Sequence, residues 1–376
     1  MRNITLGLTG SVATTLSLKI IESLRNIKNV SSLNAVFTPN AEKFISFDAK
    51  FHDSIYTKSN VKIYKEKDEW QWYDDNGKWI GERNIYKKGD RVLHVELAKE
   101  SSCLVIAPAS MNTIAKMVYG ICDNLLLSVY NAFDATCRPV IIAPAMNTFM
   151  WNSVQNQRNI RSLKDRGVIV IDPISKKLAC GDEGVGALAD ITDIAKRVQQ
   201  ELSWVCPLRQ STKLFIPTGT HPGAFGAVRK HDVHCGVDLY TKNGTNVYSM
   251  EAGKVVEISP YTGKLANSPW WNDTMVVKVE GPTGIISYGE INPSPWLRVG
   301  EYIKRDSYIG DVEQVLPDNK LRKDIPNHSC SMLHIELHNH GYIHKDMIWT
   351  LKEDKPKVLE DCTSFLTEAI ENATFG

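Results

Sequence analysis

The sequence predicts two domains of different fold class: a parallel α/β domain over residues 1–205 and a mostly antiparallel all-β domain over residues 206–376. In the first part, short apolar runs of strand length alternate with segments of helical periodicity, which is typical of a parallel sheet. In the second part, short β-type runs are separated by Gly and Pro. A chain of 376 residues is long enough for two such domains.

The first half opens on a strand and a helix. Ile4–Leu8 is an apolar run that ends at Gly10 and Ser11, and apolar residues then recur at helical spacing at Val12, Leu16, Ile20, Ile21 and Leu24. Strands covered on both faces lack polar alternation, as do Leu104–Ala107, Val140–Ala143 and Val168–Ile171. Helices are predicted at 112–120, 151–165 and 189–203. This order predicts a flavodoxin-like or Rossmann-like sheet with helices on both faces.

The predicted linker between the domains is 204–215, after which Pro and Gly become frequent. The β-type runs beyond it are Val247–Ser249, Lys254–Ile258, Met275–Val279 and Ile285–Tyr288, and a short helix is predicted near Cys362–Ile370. In the first domain, aromatic-rich runs flank Asp75-Asn76-Gly77, a pattern that predicts a protruding hairpin over Trp70–Gly89.

The overall charge and the cysteines narrow the class of protein. Forty-four Lys and Arg against 43 Asp and Glu leave a formal net charge of +1, which gives no electrostatic case for nucleic acid or an anionic membrane as the partner. The eight cysteines are scattered without a CxxC pair, which favours a reducing compartment. Without a signal peptide or an apolar run long enough to span a membrane, we expect a cytoplasmic protein.

Four segments of the first half have the positions of ligand-binding loops. Gly10–Ala13 follow the first strand, where backbone N–H groups can hold a phosphate. Ala107–Thr113 and Pro144–Trp151 follow buried strands, at the edge where open α/β sheets bind ligands. Lys177–Leu188 is a Gly-rich loop that fits a lid, and its Cys180 is the least core-like cysteine. Taken singly, each has a simpler explanation as a turn or as core packing.

Together these segments resemble the flavin-dependent cysteine decarboxylases, which comprise the phosphopantothenoylcysteine decarboxylases, their plant halotolerance-protein form and the bacterial peptidyl-cysteine decarboxylases of lantibiotics. The resemblance covers residues 3–203 and includes Leu93–Leu97 and Gly120–Leu126. Ala187 stands where bacterial bifunctional forms usually carry Arg, so the loop looks like that of the eukaryotic monofunctional enzyme. The family implies FMN held between the subunits of a homotrimer, or of trimers assembled into a dodecamer.

The resemblance also implies roles for matching positions. His94 is the implied base or orienting group beside flavin and substrate, Asn147 holds the substrate carboxylate, and Cys180 donates a proton in a final reduction to 4'-phosphopantetheine. The other residues expected at the substrate are Met150, Lys177, Ala179 and Leu188. Those expected at FMN are Gly10, Ser11, Val12, Thr38, Ser110, Met111, Asn112 and Thr113.

The second half contains histidine and aspartate residues that could bind a metal ion, although one of the histidines lies far along the sequence from the other residues. His234, Gly236 and Asp238 form an H-x-G-x-D motif, and His334 follows far downstream. Two imidazoles and a carboxylate supply three tetrahedral zinc ligands and leave one position for water. A His-rich surface is the simpler alternative. Residues 221–345 resemble the LytM/lysostaphin-type zinc metallopeptidases, which implies that these two histidines and the aspartate are zinc ligands.

This second resemblance is incomplete at two catalytic positions. Active members carry a His where Met332 stands and another where Glu290 follows Tyr288 and Gly289. We therefore expect zinc binding rather than proteolysis in the second domain.

The leading hypothesis is FMN-dependent decarboxylation of 4'-phosphopantothenoylcysteine, with a zinc-binding peptidase-like domain appended. Three alternatives remain open. The first is a peptidyl-cysteine decarboxylase whose second domain binds the peptide. The second is a zinc endopeptidase for peptidoglycan that uses the flavoprotein as an oligomerisation platform. The third is a regulatory flavoprotein of the halotolerance type.

Overall fold

A computed structural model describes residues 2–47, 60–73, 79–82, 88–177, 183–209, 214–317, 331–342 and 349–373 of the chain. The chain divides into two compact units, Arg2–Leu202 and Ser203–Gly376. Cys180 and Ala179, both expected at the substrate, lie outside the described residues. No helix in the described ranges combines the length and hydrophobicity that a membrane crossing requires.

The first unit consists of ten strands and seven α-helices in its described part. The strands are β1 (Arg2–Leu8), β2 (Val30–Phe37), β3 (Val61–Tyr64), β4 (Gln71–Tyr73), β5 (Trp79–Glu82), β6 (Cys103–Ala109), β7 (Val140–Pro144), β8 (Ile169–Val170), β9 (Ile174–Lys177) and β10 (Glu183–Ala187). The helices are α1 (Ser17–Arg25), α2 (Leu93–Glu100), α3 (Met111–Tyr119), α4 (Leu125–Ala132), α5 (Thr148–Asn152), α6 (Val154–Asp165) and α7 (Ile191–Leu202).

Six of these strands form one parallel sheet in the order β3-β2-β1-β6-β7-β8. Alternate residues of each strand face opposite sides, so Val105 packs in one apolar core and Leu104 in the other. Helices α1 and α7 cover the first side, whereas α2, α3, α4 and α6 cover the second. The predicted parallel sheet with helices on both faces is confirmed.

The strand order reverses at the middle of this sheet, because β1 pairs with both β2 and β6. The chain leaves β1 toward one edge and leaves β6 toward the other. The connections after these two strands therefore diverge and leave a crevice at their carboxyl ends, which is where open α/β sheets bind ligands.

Several local features differ from the sequence-based expectation. The helix expected to follow Gly10 begins as a 3-10 helix at Val12–Leu16. The helix predicted for 151–165 is two helices, because the Ser153 hydroxyl accepts a hydrogen bond from Asn156 N (3.2 Å) and starts α6 afresh. The strand predicted at Val168–Ile171 shortens to β8. Within the segment predicted as a hairpin, β4 and β5 pair in antiparallel fashion, and its predicted turn, Asp75–Gly77, lies outside the described residues.

The second unit is built on antiparallel strands, as predicted. They are β11 (Asp232–Val233), β12 (Val237–Tyr240), β13 (Asn246–Tyr248), β14 (Gly253–Thr262), β15 (Thr274–Glu280), β16 (Ile285–Pro293), β17 (Tyr302–Ile303), β18 (Tyr308–Val312), β19 (Met332–His338), β20 (Trp349–Thr350) and β21 (Leu359–Glu360). The main sheet runs β12-β19-β16-β15-β14-β17, and helix α8 (Thr363–Glu371) follows the last strand.

The residues predicted as a linker are part of the second unit's core where the structure describes them. Trp204, Leu208 and Leu214 are buried in its main apolar cluster. The Trp204 ring lies 4.9 Å from that of Phe365, and its Nε1 donates to Glu251 Oε2 (3.0 Å). Their apolar side chains explain the difference, since burial removes them from water.

Candidate functional site

A cavity of about 850 Å³ opens at the carboxyl ends of the parallel strands. Its walls come from the segments that follow β1, β2, β6 and β7, together with the region around β10. The lining residues include Gly10, Ser11, Val12, Thr38, Asn40, Ser110, Met111, Asn112, Thr113, Lys116, Asp123, Asn124, Met146, Asn147, Met150, Lys176 and Leu188.

Two connections pack tightly at Gly10. A Cβ atom on Gly10 would lie 2.6 Å from the Cβ of Asn40, which is closer than real side chains approach. Beside it, Ser11 Oγ donates to Ala145 O (3.2 Å) and links the connection after β1 to the one after β7. A glycine at this position therefore lets the walls converge on the cavity.

Helix α3 points its N-terminus at the cavity. Ser110 caps it, since its hydroxyl oxygen accepts from Thr113 N, and Ser110 N donates to Thr9 Oγ1 (2.8 Å). The first N–H groups of an α-helix have no acceptor within the helix, and the helix dipole is positive at that end. With Met111 and Asn112 in the cavity wall, this end of α3 has the chemistry of a phosphate site.

The opposite wall is formed by Asn147 and its neighbours. Asn147 caps α5, with Oδ1 accepting from Phe149 N (2.8 Å). Strand β10 closes against this wall, because Met146 N donates to Gly186 O (2.9 Å) and a Cβ on Gly186 would lie 2.3 Å from Met146 O. The apolar Met150 side chain completes it.

All eight residues expected at FMN line this cavity, as do Asn147, Met150 and Leu188. Lys177 ends β9, but its side chain falls outside the described part, so only its neighbour Lys176 is seen in the wall. The amides, hydroxyls and helix terminus fit a phosphate and the polar edges of a flavin, and the apolar side chains fit its ring. The residues present therefore fit FMN.

Within the described part of a single chain, His94 is not one of the residues that line the cavity. It occupies the first turn of α2, where its Nδ1 lies 2.5 Å from Glu69 Oε1. Sequence reasoning missed Glu69, because no motif spacing connects it with a histidine 25 residues away. It also missed Lys116, Asp123 and Asn124 in the cavity wall, although the last two lie in the Gly120–Leu126 segment that carried the resemblance.

The second unit brings His234, Asp238 and His334 together in its interior. Asp238 Oδ1 lies 2.7 Å from His334 Nδ1 and 3.2 Å from His234 Nε2, and the two nitrogens are 3.1 Å apart. Strands β12 and β19 create this proximity, since Asp238 and His334 are direct partners in their antiparallel register. One ligand atom from each residue thus faces a common point.

The side-chain nitrogen or oxygen of each of these residues that points away from the common point also has a hydrogen-bonding partner. His234 Nδ1 lies 2.9 Å from Ala224 O, Arg229 Nη2 donates to Asp238 Oδ2 (2.9 Å), and His334 Nε2 lies 3.0 Å from Glu336 Oε1. Such contacts orient the inward atoms, as the outer hydrogen bonds of metal-binding histidines do. The residues present therefore fit a tetrahedral divalent metal ion such as zinc.

Charges inside this cluster shift its ionisation strongly. Burial alone would raise the pKa of Asp238, but His234 and His334 hold it well below its usual range. Burial alone would lower the pKa of His334, whereas hydrogen bonds to Asp238 and Glu336 raise it to about 10. Without a metal, the cluster thus holds a proton on His334 that a metal ion has to displace.

Met332 and Glu290, the two residues that depart from the pattern of the resembled peptidases, are both buried. Met332 packs in an apolar cluster with Tyr240, Val315 and Leu316. Glu290 lies in a bulge of β16, where Gly289 and Glu290 face a single residue of β15, and its φ of 62° is unusual for a side-chain-bearing residue. Burial, then the charge of Asp238, raises the pKa of Glu290 to about 8.

Comparisons with known proteins concern the first unit. Residues 1–203 match the protein family described as Flavoprotein. A phosphopantothenoylcysteine decarboxylase of Oryza sativa subsp. japonica is 36% identical over 214 residues, covering 57% of this chain and 86% of the relative. One from Arabidopsis thaliana is 41% identical over 162 residues, covering 43% and 70%. One from Mus musculus is 32% identical over 207 residues, covering 54% and 89%.

Two solved structures are similar to the same part of the chain. One is a PPC decarboxylase mutant complexed with pantothenoylaminoethenethiol, with a TM-score of 0.45 and 35% identity, covering 53% of this chain and 97% of that one. The other is the FMN-binding protein AtHal3, with a TM-score of 0.44 and 36% identity, covering 53% and 95%.

Proposed function

Because the chain belongs to the flavoprotein family, which it matches over residues 1–203, we propose that it is an FMN-dependent decarboxylase that converts 4'-phosphopantothenoylcysteine to 4'-phosphopantetheine and CO2. The observation that carries this proposal is the cavity at the strand-order reversal, whose wall contains every residue expected at FMN. Relatives that share 32–41% identity with the chain have the same named activity.

When bound, FMN would supply reversible two-electron chemistry: it would take two electrons from the cysteine moiety as the carboxylate leaves as CO2 and would return them to the enethiol. The chain's own residues bind and orient. The α3 N-terminus, with Ser110 and Asn112, holds the phosphate, and the Asn147 amide holds the departing carboxylate. His94 acts as base or orienting group, and Cys180 returns a proton to the product.

The deciding experiment measures CO2 release by the purified protein from 4'-phosphopantothenoylcysteine and, separately, from a cysteine-ended peptide. We expect release from the first, at a rate at least tenfold above the second, from a yellow protein with an FMN spectrum. Preferential turnover of the peptide would favour the peptidyl-cysteine decarboxylase. A colourless protein that cleaves peptidoglycan peptides would favour the endopeptidase.

We further propose that the site is completed by a neighbouring subunit in a trimer or a multiple of it. Val12 and Met150 in the cavity wall are exposed, and the adjacent Phe149 side chain is 82% exposed, an apolar surface that a partner would cover. A site shared between subunits also accounts for a His94 that is absent from the cavity of its own chain.

Complementation between two inactive variants tests whether the site is shared, and light scattering tests the oligomeric state. Chains carrying His94→Asn keep their FMN cradle, and chains carrying Gly10→Val keep His94. Co-expression of the two inactive variants should restore CO2 release, because a mixed trimer combines an intact cradle with an intact histidine. A monomer by light scattering, or a mixture without activity, would contradict the shared site.

For the second unit we propose a zinc site formed by His234, Asp238 and His334, in a LytM-type domain without peptidase activity. The support is the convergence of one ligand atom from each residue and the outer hydrogen bonds that fix them. Met332 has no group that can take or give a proton, and positioned acid–base groups are commonly worth about 100- to 10,000-fold in rate.

Elemental analysis should find one zinc per chain, lost in His334→Ala. Pentaglycine and stem-peptide substrates should remain uncleaved by the zinc-loaded protein. Cleavage that a chelator abolishes would overturn the inactive assignment and promote the endopeptidase hypothesis.

A further inference from the structure

One short turn of the first unit directs two carboxylates at the starts of two helices. The 3-10 turn Glu66–Trp70 is closed by Asp68 Oδ2, which accepts from Lys65 N (2.7 Å). From it, Glu66 Oε2 accepts a hydrogen bond from Leu125 N at the start of α4 (2.9 Å). Glu69 instead contacts the side chain of His94 at the start of α2.

The Glu69 carboxylate is placed where an unpaired charge would be costly. Its residue is only 6% exposed, and within the described residues its Oε2 has no hydrogen-bond partner. Its other oxygen, Oε1, lies 2.5 Å from Nδ1 of His94, whose side chain is 28% exposed. A buried carboxylate is tolerated when a donor or a positive charge meets it. The imidazole is that donor here.

We infer that Glu69 is a positioning residue for His94. An ionised carboxylate only accepts hydrogen bonds, so this contact places a proton on Nδ1 and leaves Nε2 as the nitrogen that can take a proton from substrate. The buried side chain of Glu69 also fixes the ring orientation. This inference rests on the proposed decarboxylase function, in which His94 is the base or orienting group.

A merely structural tie between the turn and α2 would survive an isosteric amide, whereas a positioning role would not. The side chain in Glu69→Gln has nearly the same size, but its NH2 group can donate to Nδ1 and so allows the proton to sit on Nε2. In a comparable carboxylate–histidine pair, this exchange leaves the geometry intact and lowers kcat through the wrong tautomer.

The kinetic test compares Glu69→Gln with Glu66→Gln, a matched control from the same turn whose side-chain oxygen still caps α4. We expect kcat for CO2 release to fall at least about tenfold in Glu69→Gln, with KM and FMN content within about twofold of wild type. Glu66→Gln should stay within about twofold in all three quantities. Wild-type kcat in Glu69→Gln would overturn the inference, as would an equal loss in the two variants.

A second readout does not depend on turnover. Diethyl pyrocarbonate carbethoxylates an unprotonated imidazole nitrogen, and mass spectrometry of the His94 peptide follows its rate in the FMN-loaded protein. We expect slower modification of His94 in Glu69→Gln than in wild type or Glu66→Gln. Equal rates in all three would overturn the pairing. If wild type released no CO2, the proposed function would fail, while these rates would still decide whether Glu69 controls His94.

Discussion

Glu336 contacts the outer nitrogen of His334, with Oε1 3.0 Å from Nε2. The two residues lie two positions apart on the same strand, so their side chains face the same side of the sheet. The other oxygen of Glu336 lies 2.8 Å from Nε2 of His338. Burial alone would raise the pKa of Glu336, but His334 and His338 hold it far below its usual range. An ionised carboxylate thus backs the histidine whose Nδ1 faces the proposed zinc site.

The first prediction is that Glu336→Gln weakens zinc binding by about 10- to 100-fold, because a neutral amide orients His334 less well and supports its ligand nitrogen less. Competition with a chromogenic chelator measures the dissociation constant. The control is Glu251→Gln, a buried carboxylate of the same unit that accepts from Trp204 Nε1 and Thr283 N. Unchanged affinity in Glu336→Gln, with zinc present in wild type, would contradict the role of Glu336.

The second prediction concerns the stability of the metal-free protein between pH 5 and 8. The pKa of Glu290 is about 8 in the folded chain against an ordinary value of 4.5, so over this range unfolding releases a proton that the folded state retains. The free energy of unfolding therefore falls as pH rises from about 4.5 to 8. Glu290→Gln removes this loss.

We expect the Tm of Glu290→Gln, relative to wild type, to rise by at least about 3 °C between pH 5 and pH 8 in the presence of a chelator. Ile291→Val is the control. It shortens a buried side chain of the same strand without removing a titratable group, so its Tm difference should not change with pH. A Glu290→Gln difference that is constant or shrinks would refute the assignment.

The third prediction is that Gly10→Ala weakens FMN binding, because the new Cβ would meet the Cβ of Asn40 at 2.6 Å. Overpacking of this kind costs about 1–3 kcal/mol, which corresponds to a dissociation constant raised about 5- to 150-fold. Flavin fluorescence measures it. In chains that carry Asn40→Gly and so lack that Cβ, Gly10→Ala should raise the dissociation constant less than it does in wild type. An equal rise in the two backgrounds would mean that the clash is not the cause.

The fourth prediction separates the roles of His94 and Cys180. His94→Asn should reduce CO2 release at least about 100-fold with FMN still bound. Cys180→Ser should release CO2 but accumulate the oxidised enethiol, because a serine hydroxyl is a far weaker acid than a thiol. Product analysis by mass spectrometry distinguishes the two, and a normal saturated thiol from Cys180→Ser would exclude the proton-donor role.

Much of the first unit could be predicted from sequence because its signals are local. A buried parallel strand such as Cys103–Ala109 reads as an unbroken apolar run, and the segment after it necessarily lies at the carboxyl edge of the sheet. The motif residues of four separate segments could therefore be expected to meet.

The side-chain pairs that tune these residues could not be predicted in the same way. A short 3-10 turn places Glu69 beside His94, and a β-bulge places Glu290 in the interior. Neither feature produces a repeating pattern or a fixed residue spacing that could be recognised in the sequence. The linker prediction at 204–215 failed because Pro and Gly frequency reports turns, whereas the burial of Trp204 depends on a partner, Phe365, that lies far along the chain.

The contact between Trp204 and Phe365 sets an order of events during synthesis on the ribosome. All strands of the parallel sheet precede Trp204, so the first unit has its complete core available as soon as α7 has emerged. The second unit needs Phe365 and Leu366 for its core, which at 5–20 residues per second follow about 10 to 30 s later. During that interval its apolar strands lack their last partners, and apolar surface exposed in this way makes an incompletely folded chain prone to aggregation.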